Sequence, residues 1–100
     1  MSLSNVQKKQ YRNIGHTLNP VVTVAGNGLT EPVLTEIDRA LEDHELIKVR
    51  YSISDREVRY SIVEETAKVL KCEVVQTIGK VALLYRAALE PNPKLSNLLR

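Results

Sequence analysis

The chain has 100 residues, one cysteine and a formal net charge of +2 at pH 7. This length suits a single domain that buries about two-thirds of its unfolded surface, and one cysteine permits no internal disulfide. The sequence shows no signal-peptide pattern and no apolar run near the roughly 20 residues that span a membrane. We therefore expect a cytoplasmic domain that does not interact with membranes.

The charge is unevenly distributed along the chain. Residues 1–30 carry three cations and no acid, whereas residues 31–45 carry six carboxylates against Arg39. The two remaining segments, 46–60 and 61–100, are each weakly basic. A basic binding surface can therefore exist on a nearly neutral protein.

The first half of the chain predicts a helix, a strand and a second helix. The first helix covers about residues 4–18 and is ended by Pro20. Residues 21–25 are continuously apolar, which is typical of a buried strand. Thr30 can cap the second helix, with Pro32 in its first turn.

The second half predicts a strand, a helix and a hairpin. Residues 46–52 alternate between apolar and basic side chains, as a half-buried strand does. A third helix opens at the sequence SDRE, where Ser54 and Glu57 match a capping box. The segments EVVQTI and VALLYRA then form two strands joined at Gly79-Lys80.

This order, αβαβαββ, predicts an α/β domain with a four-stranded mixed sheet and three helices. Right-handed crossovers make the first three strands parallel and the last one antiparallel. The ends of the first three strands then share one edge with the Gly79-Lys80 turn and the start of the third helix. Lys8 and Lys9 reach that edge if the first helix runs antiparallel to the first strand. We expect the domain to cover residues 1–90, followed by a loosely ordered tail over residues 91–100.

Residues 25–28, Ala-Gly-Asn-Gly, fit no nucleotide-binding motif. A Walker A loop requires a following Gly-Lys-Ser/Thr, and the pattern GxGxxG fails because position 31 is glutamate. Cys72, His16 and His44 lack the neighbours that a metal site or a nucleophile needs. We therefore expect a protein without enzymatic activity, cofactor or metal.

The two loop glycines have two explanations. In the structural one, Gly26 and Gly28 supply positive φ for a tight turn, and Asn27 tolerates left-handed geometry. In the functional one, successive N–H groups and a helix N-terminus bind phosphate, or let a nucleic-acid backbone come close. Glu31 opposes the functional explanation, whereas the nearby cations favour it.

A longer pattern is more specific than these glycines. The run LNPVVTVAGNGLTEPVLTEIDRALEDHELIKVR, followed by DREVRYSIVEETAK and VVQTIGKVALLYR, resembles the YhbY-type CRM domain over about residues 2–86. The resemblance implies a fold similar to the C-terminal domain of translation initiation factor 3. It also implies binding to RNA in precursors of the large ribosomal subunit. The family's GxxG loop falls on residues 25–28, with Ala25 at a position where glycine is usual.

The resemblance and the charge pattern together predict ten RNA-binding residues, four in the loop and six basic side chains. They are Ala25, Gly26, Asn27, Gly28, Lys8, Lys9, Arg12, Lys48, Arg56 and Lys80. Lys48 and Lys80 also fit a purely structural explanation, as a solvent-facing strand residue and a turn residue. Tyr51 and Tyr85 are expected in the core, which favours recognition of RNA through phosphates and shape rather than base stacking.

We therefore expect a monomeric, non-enzymatic CRM-like protein that binds structured RNA. The expected partner is the large-subunit rRNA precursor within a pre-ribosomal particle, whose assembly the protein assists. The competing hypothesis is an adaptor that docks on a ribosomal protein through the acidic second helix or the tail LSNLL. A third hypothesis is an enzyme that binds a small phosphate ligand at the glycine loop.

Overall fold

A computed structural model describes residues 3–99 and contains all seven predicted elements in the predicted order. They are α1 Asn5–Gly15, β1 Pro20–Val24, α2 Glu31–His44, β2 Leu46–Tyr51, α3 Arg56–Leu70, β3 Glu73–Ile78 and β4 Val81–Tyr85. None of the helices in this part of the chain is long and apolar enough to cross a membrane.

The four strands form one mixed sheet in the order β1-β2-β4-β3. β1 and β2 are parallel, and β4 runs antiparallel to both β2 and β3. The first three strands therefore run in the same direction, as right-handed crossovers require. The prediction of an α/β domain with a four-stranded mixed sheet and three helices is confirmed.

Hydrophobic layers hold helices against both faces of this sheet. α2 and α3 cover one face, where Ile37, Leu41 and Tyr51 are fully buried. α1 covers part of the other face, where Tyr11 packs beside Tyr85 with ring centroids 5.0 Å apart. Tyr51 is thus a core residue as predicted, whereas Tyr85 is only half-buried.

α1 approaches the sheet most closely at Gly15. A Cβ built on this glycine would lie 2.8 Å from Cδ2 of Leu83, a buried residue of β4. Real Cβ atoms do not approach other carbons so closely, because the two atoms would overlap, and the dense packing around Leu83 leaves its side chain little room to move away. The absence of a side chain at Gly15 therefore sets how near the helix lies to the strands.

Two helix boundaries differ from the prediction. α1 ends at Gly15 rather than at residue 18, because the N–H groups of Thr17 and Leu18 donate three residues back and tighten the last turn. The predicted capping box of Ser54 and Glu57 is wrong. The cap of α3 is Asp55, whose carboxylate accepts from two backbone N–H groups at 2.9 and 3.1 Å. The predicted Thr30 cap of α2 is present.

The tail also differs from the sequence-based expectation, because it is in contact with the domain. Ser96 is fully buried, and its hydroxyl donates to the Glu45 carboxylate at 2.7 Å. The Asn97 side-chain amide donates to the Leu46 carbonyl at 2.7 Å, and His44 Nδ1 donates to the Leu95 carbonyl at 2.8 Å. These single polar contacts leave no periodic pattern, so the sequence could not predict them. Arg100, the last residue of the predicted tail, lies outside the described residues.

Candidate nucleic-acid interface

The loop between β1 and α2 is a tight turn that requires glycine at one position. The N–H of Gly28 donates to the Ala25 carbonyl at 2.9 Å, which closes the turn. Gly28 has φ +75°, whereas Ala25, Gly26 and Asn27 do not have positive φ. The expectation of positive φ is therefore confirmed for Gly28 and wrong for Gly26.

Gly26 is a glycine that the fold itself does not require. It is exposed, and a Cβ built there would meet no atom within 4 Å. Within residues 3–99, the N–H groups of Gly26 and Asn27 donate to no protein acceptor. The fold leaves this backbone bare, which is what close approach of an RNA backbone requires.

The N-terminus of α2 offers less to a phosphate than the sequence suggests. The Thr30 hydroxyl accepts from the Val33 N–H at 3.4 Å, and Pro32 has no N–H to donate. Glu31 adds a carboxylate to the first turn, which opposes an anion. Anion binding at this loop therefore depends on the N–H groups of residues 26 and 27 rather than on the helix.

Two backbone hydrogen bonds bring three loops to one edge of the sheet. The Ser52 N–H donates to the Val24 carbonyl at 2.8 Å, and the Tyr51 N–H donates to the Lys80 carbonyl at 2.6 Å. These bonds join the end of β1, the segment that leads into α3 and the β3–β4 turn. We call this group the loop edge and define it as residues 25–28, Arg56 and Lys80. Five of the six are exposed, and Gly28 is half-buried at 3.9 Å, for a built Cβ, from Ile62 of α3.

An exposed aromatic residue that sequence analysis missed stands at this edge. The Tyr60 ring is 39% exposed, and the guanidinium carbon of Arg56 lies 5.4 Å from its centroid. Arg56 Nη2 also donates to the Tyr60 hydroxyl at 3.2 Å. The spacing of four residues on one helix was the available signal, because it places two side chains on the same face.

The cations of α1 do not belong to the loop edge. The N–H of Leu3, just before α1, donates to the carboxylate of Glu73, the first residue of β3, at 2.9 Å. From there α1 packs against β3 and β2. Because Arg12 lines a cavity with Ile78 at the far end of β3, α1 runs in the direction of β3 and of β1 rather than antiparallel to them. The condition that would bring Lys8 and Lys9 to the loop edge is therefore not met. Lys8 and Arg12, four residues apart, share one side of α1, and Lys9 lies on the next side.

Arg12 and Lys48 meet at a cavity of about 210 Å³ between the second half of α1 and the sheet. Lys48 is half-buried there, so it is not simply the solvent side of a strand. Arg50, two residues along β2, is exposed on the same face of the sheet. We call Lys8, Arg12, Lys48 and Arg50 the helix–sheet face. Sequence analysis noticed the β2 alternation but did not include Arg50 among the site residues.

The acids of α2 are engaged at the opposite corner of the sheet, where β2 begins. Arg86 Nη1 donates to the Asp38 carboxylate at 2.7 Å, and the Leu89 N–H donates to Glu42 at 2.9 Å. The buried Glu45 carboxylate accepts from Ser96 and from the Ala88 N–H. Three of the six acids in this segment thus hold the chain that follows β4.

Among the described residues, the groups with shifted pKa are Tyr51, Cys72 and Tyr85, and none of them belongs to either basic group. Burial raises the pKa of Tyr51 to about 12 and that of Cys72 to about 11. A thiol with such a pKa is almost entirely protonated at neutral pH, and so it is a weak nucleophile and metal ligand. In residues 3–99, no cluster of three or more His, Cys, Asp or Glu side chains could hold a metal ion.

Known proteins have sequences similar to that of this chain. The profile of the CRS1/YhbY (CRM) domain matches residues 3–86. A "Probable RNA-binding protein" of Pseudomonas aeruginosa is 50% identical over 100 residues, covering 100% of this chain and 96% of the relative. An "RNA-binding protein" of Haemophilus influenzae is 46% identical over 94 residues, covering 94% of this chain and 95% of the relative.

A solved structure gives the same result at lower identity. The solution structure of a hypothetical Staphylococcus aureus protein, described as a candidate RNA-binding protein, superposes with a TM-score of 0.78 at 29% identity. The match covers 89% of this chain and 93% of that chain. Sequence profile, relatives and fold agree, and the chain belongs to the CRS1/YhbY (CRM) domain family.

Proposed function

We propose that this protein binds structured RNA through the loop edge and the helix–sheet face. The observation that carries the proposal is the helix–sheet face itself, where four cations lie on α1 and β2. Neither of these elements contains an acidic residue. Relatives named as RNA-binding proteins support the same assignment.

The two basic groups make different contacts in this proposal. Lys and Arg side chains of the helix–sheet face neutralise phosphates and release counterions, which makes affinity depend on salt. The bare N–H groups at Gly26 and Asn27 donate to a phosphate oxygen, which can come close because Gly26 has no side chain. Such contacts recognise the shape of a folded RNA more than its base sequence. The proposal requires binding alone, without catalysis or a cofactor.

The proposed target is the rRNA of the precursor large ribosomal subunit, and the proposed role is to assist its assembly. The resemblance to ribosome-maturation proteins of the CRM type supports this target. A protein of this size, acting as a monomer in the cytoplasm, can hold an RNA segment while the particle around it is incomplete.

The adaptor hypothesis has less support from the contacts of the chain. Glu42 and Glu45 accept hydrogen bonds from residues 88–96, so part of the acidic surface of this segment is already used within the chain. Leu98 of the tail is half-buried against the sheet. No contact at this corner favours an adaptor role over RNA binding.

The direct test is to crosslink the protein to RNA in cells and to map the crosslinked nucleotides. We expect sites concentrated in large-subunit rRNA precursors. A variant with Lys8, Arg12 and Lys48 changed to Gln should lose most of these crosslinks while keeping its melting temperature. Crosslinks to unrelated RNAs would refute the rRNA target. Co-purification with a ribosomal protein after RNase treatment would support the adaptor instead.

A further inference from the structure

The cavity beside α1 is more than a basic patch, because its floor is apolar. Ile78, Val81 and Leu83 line it from β3 and β4. Its polar lining comes from Arg12, His16, Lys48 and Gln76. Its volume of about 210 Å³ equals that of about seven water molecules at about 30 Å³ each. Drug-sized ligands occupy roughly 300–1,000 Å³, so this space suits a single planar ring system.

The fold does not use the polar groups of this cavity. In the described part of the chain, no salt bridge or side-chain hydrogen bond engages Arg12, Lys48 or Gln76. Ile78 remains 63% exposed, although it is a large apolar side chain at the end of a strand. A partner that covers Ile78 and meets these polar side chains would therefore gain both apolar burial and hydrogen bonds.

The chemistry of the lining selects among ligands. A phosphate can pair with Arg12 or Lys48, but the apolar floor offers it no donors, and burying its charge against that floor costs free energy. A nucleobase has apolar faces and a polar edge. Its faces fit Ile78 and Val81, and its edge fits the Gln76 amide, which both donates and accepts. The Arg12 guanidinium can stack on the base or bind its flanking phosphate.

The position of the cavity fits a base that belongs to a bound RNA strand. Arg12 and Lys8 continue from its rim along α1, and Lys80 directly precedes Val81 at the loop edge. The cavity thus lies within the helix–sheet face and extends to Val81, next to Lys80 of the loop edge, where a strand held by its phosphates would pass.

We propose that this cavity takes one unpaired nucleobase of the bound RNA, stacked over Ile78 and Val81 with its polar edge toward Gln76. The inference rests on the proposed function, because the strand must first be held by its phosphates. It adds a base contact to a protein whose tyrosines provide only one exposed aromatic ring.

The experiment measures how much a base adds to binding. Fluorescence anisotropy compares 12-nucleotide RNAs of uridine, adenosine or cytidine with a 12-mer of the same sugar-phosphate backbone without bases. We expect the wild type to bind at least one homopolymer about tenfold tighter than the abasic 12-mer. Val81→Phe, which fills the cavity, should bring this ratio close to one and leave the affinity for the abasic 12-mer unchanged.

Two further variants keep the test decisive. Ile78→Ser removes the exposed part of the floor and should reduce the same ratio, even if Val81→Phe fails to fold. Val69→Phe, the same change on the outer surface of α3, should keep the wild-type ratio. A wild-type ratio near one, or an unchanged ratio in both cavity variants, would overturn the inference.

The outcomes also separate this inference from the function on which it rests. Salt-dependent binding of the abasic 12-mer without any base effect would leave RNA binding intact and remove the base site. Failure to bind the 12-mers and a folded rRNA fragment alike would remove both.

Discussion

The loop edge and the helix–sheet face both collect cations, but they offer RNA different things. At the loop edge, Arg56 stands between the acids Asp55 and Glu57, and the distinctive feature is bare backbone at Gly26. The helix–sheet face has four cations on elements without acids. We infer that the helix–sheet face supplies most of the salt-dependent affinity. The loop edge then favours those RNAs whose shape lets their backbone approach Gly26 closely.

The largest effect is expected from removing charge on the helix–sheet face. Changing Lys8, Arg12 and Lys48 to Gln should weaken binding of a structured rRNA fragment by about 10- to 100-fold at low salt. The slope of log affinity against log salt should fall by about 2.7, which is about 0.9 for each lost phosphate contact. Anisotropy titrations between about 50 and 200 mM salt measure both quantities.

The matched control removes the same charge elsewhere. Arg39, Lys68 and Lys94 are exposed and lie outside both basic groups, so changing all three to Gln should leave the salt slope near that of the wild type. An equal fall in both triple variants would mean that net charge, and not the helix–sheet face, governs binding.

A smaller effect is expected at the loop edge from Asn27→Asp. Aspartate tolerates turn geometry, and φ at this position is not positive, so the melting temperature should stay near that of the wild type. The added charge should weaken RNA binding by about 1–2 kcal/mol if it lies within about 4–6 Å of a phosphate. Wild-type affinity at low salt in this variant would show that the loop serves only as a turn and does not contact RNA.

The two loop glycines give the next prediction, in which one substitution affects binding and the other affects folding. Gly26→Ala meets no neighbouring atom and should not lower stability, yet its methyl group should weaken RNA binding about two- to fivefold if the backbone comes close. Gly28→Ala, at φ +75°, should cost about 1–2 kcal/mol of unfolding free energy.

Thermal melts and titrations on the same samples separate the two outcomes. Full RNA affinity in Gly26→Ala would show that RNA does not approach this backbone.

The smallest effect on RNA binding is expected at Ser96 in the tail, whose hydroxyl contacts Glu45 rather than a residue of either basic group. Ser96→Ala removes the donor to the buried Glu45 carboxylate and should cost about 1–3 kcal/mol in unfolding free energy. RNA affinity should change less than about twofold, because Ser96 touches neither basic group. Urea denaturation measures the first quantity. A large loss of RNA affinity in a folded Ser96→Ala variant would contradict the proposed interface, because it would show that RNA binds near the tail.

The sequence predicted the elements better than their placement. Periodicity identified all seven elements, and crossover handedness fixed the direction of the first three strands. Periodicity also shows which side of α1 is buried, but it cannot show which part of the sheet the helix covers. Contacts between distant residues decide that, such as Gly15 with Leu83 and Tyr11 with Tyr85.

The candidate site was predictable in part for the same reason. The loop, Arg56 and Lys80 follow strand ends, so topology alone brings them to one edge. Arg12 and Lys48 meet only because α1 crosses the sheet, which no local pattern reveals. Whether these residues bind RNA stays a prediction that the variants above test.

The position of β4 has a consequence for when the protein becomes active during its synthesis. β4 is the last strand of the chain, yet it lies between β2 and β3 and joins them. Before residues 81–85 are made, β3 has no neighbour in the sheet, and the pairing of Leu46 with Tyr85 must wait for a distant segment. Val81 and Leu83, two of the three floor residues of the cavity, belong to this strand, and Lys80 directly precedes it. A nascent chain therefore cannot hold RNA in the proposed way until β4 has been synthesised, and fragments that stop before β4 should not compete with the protein that contains it.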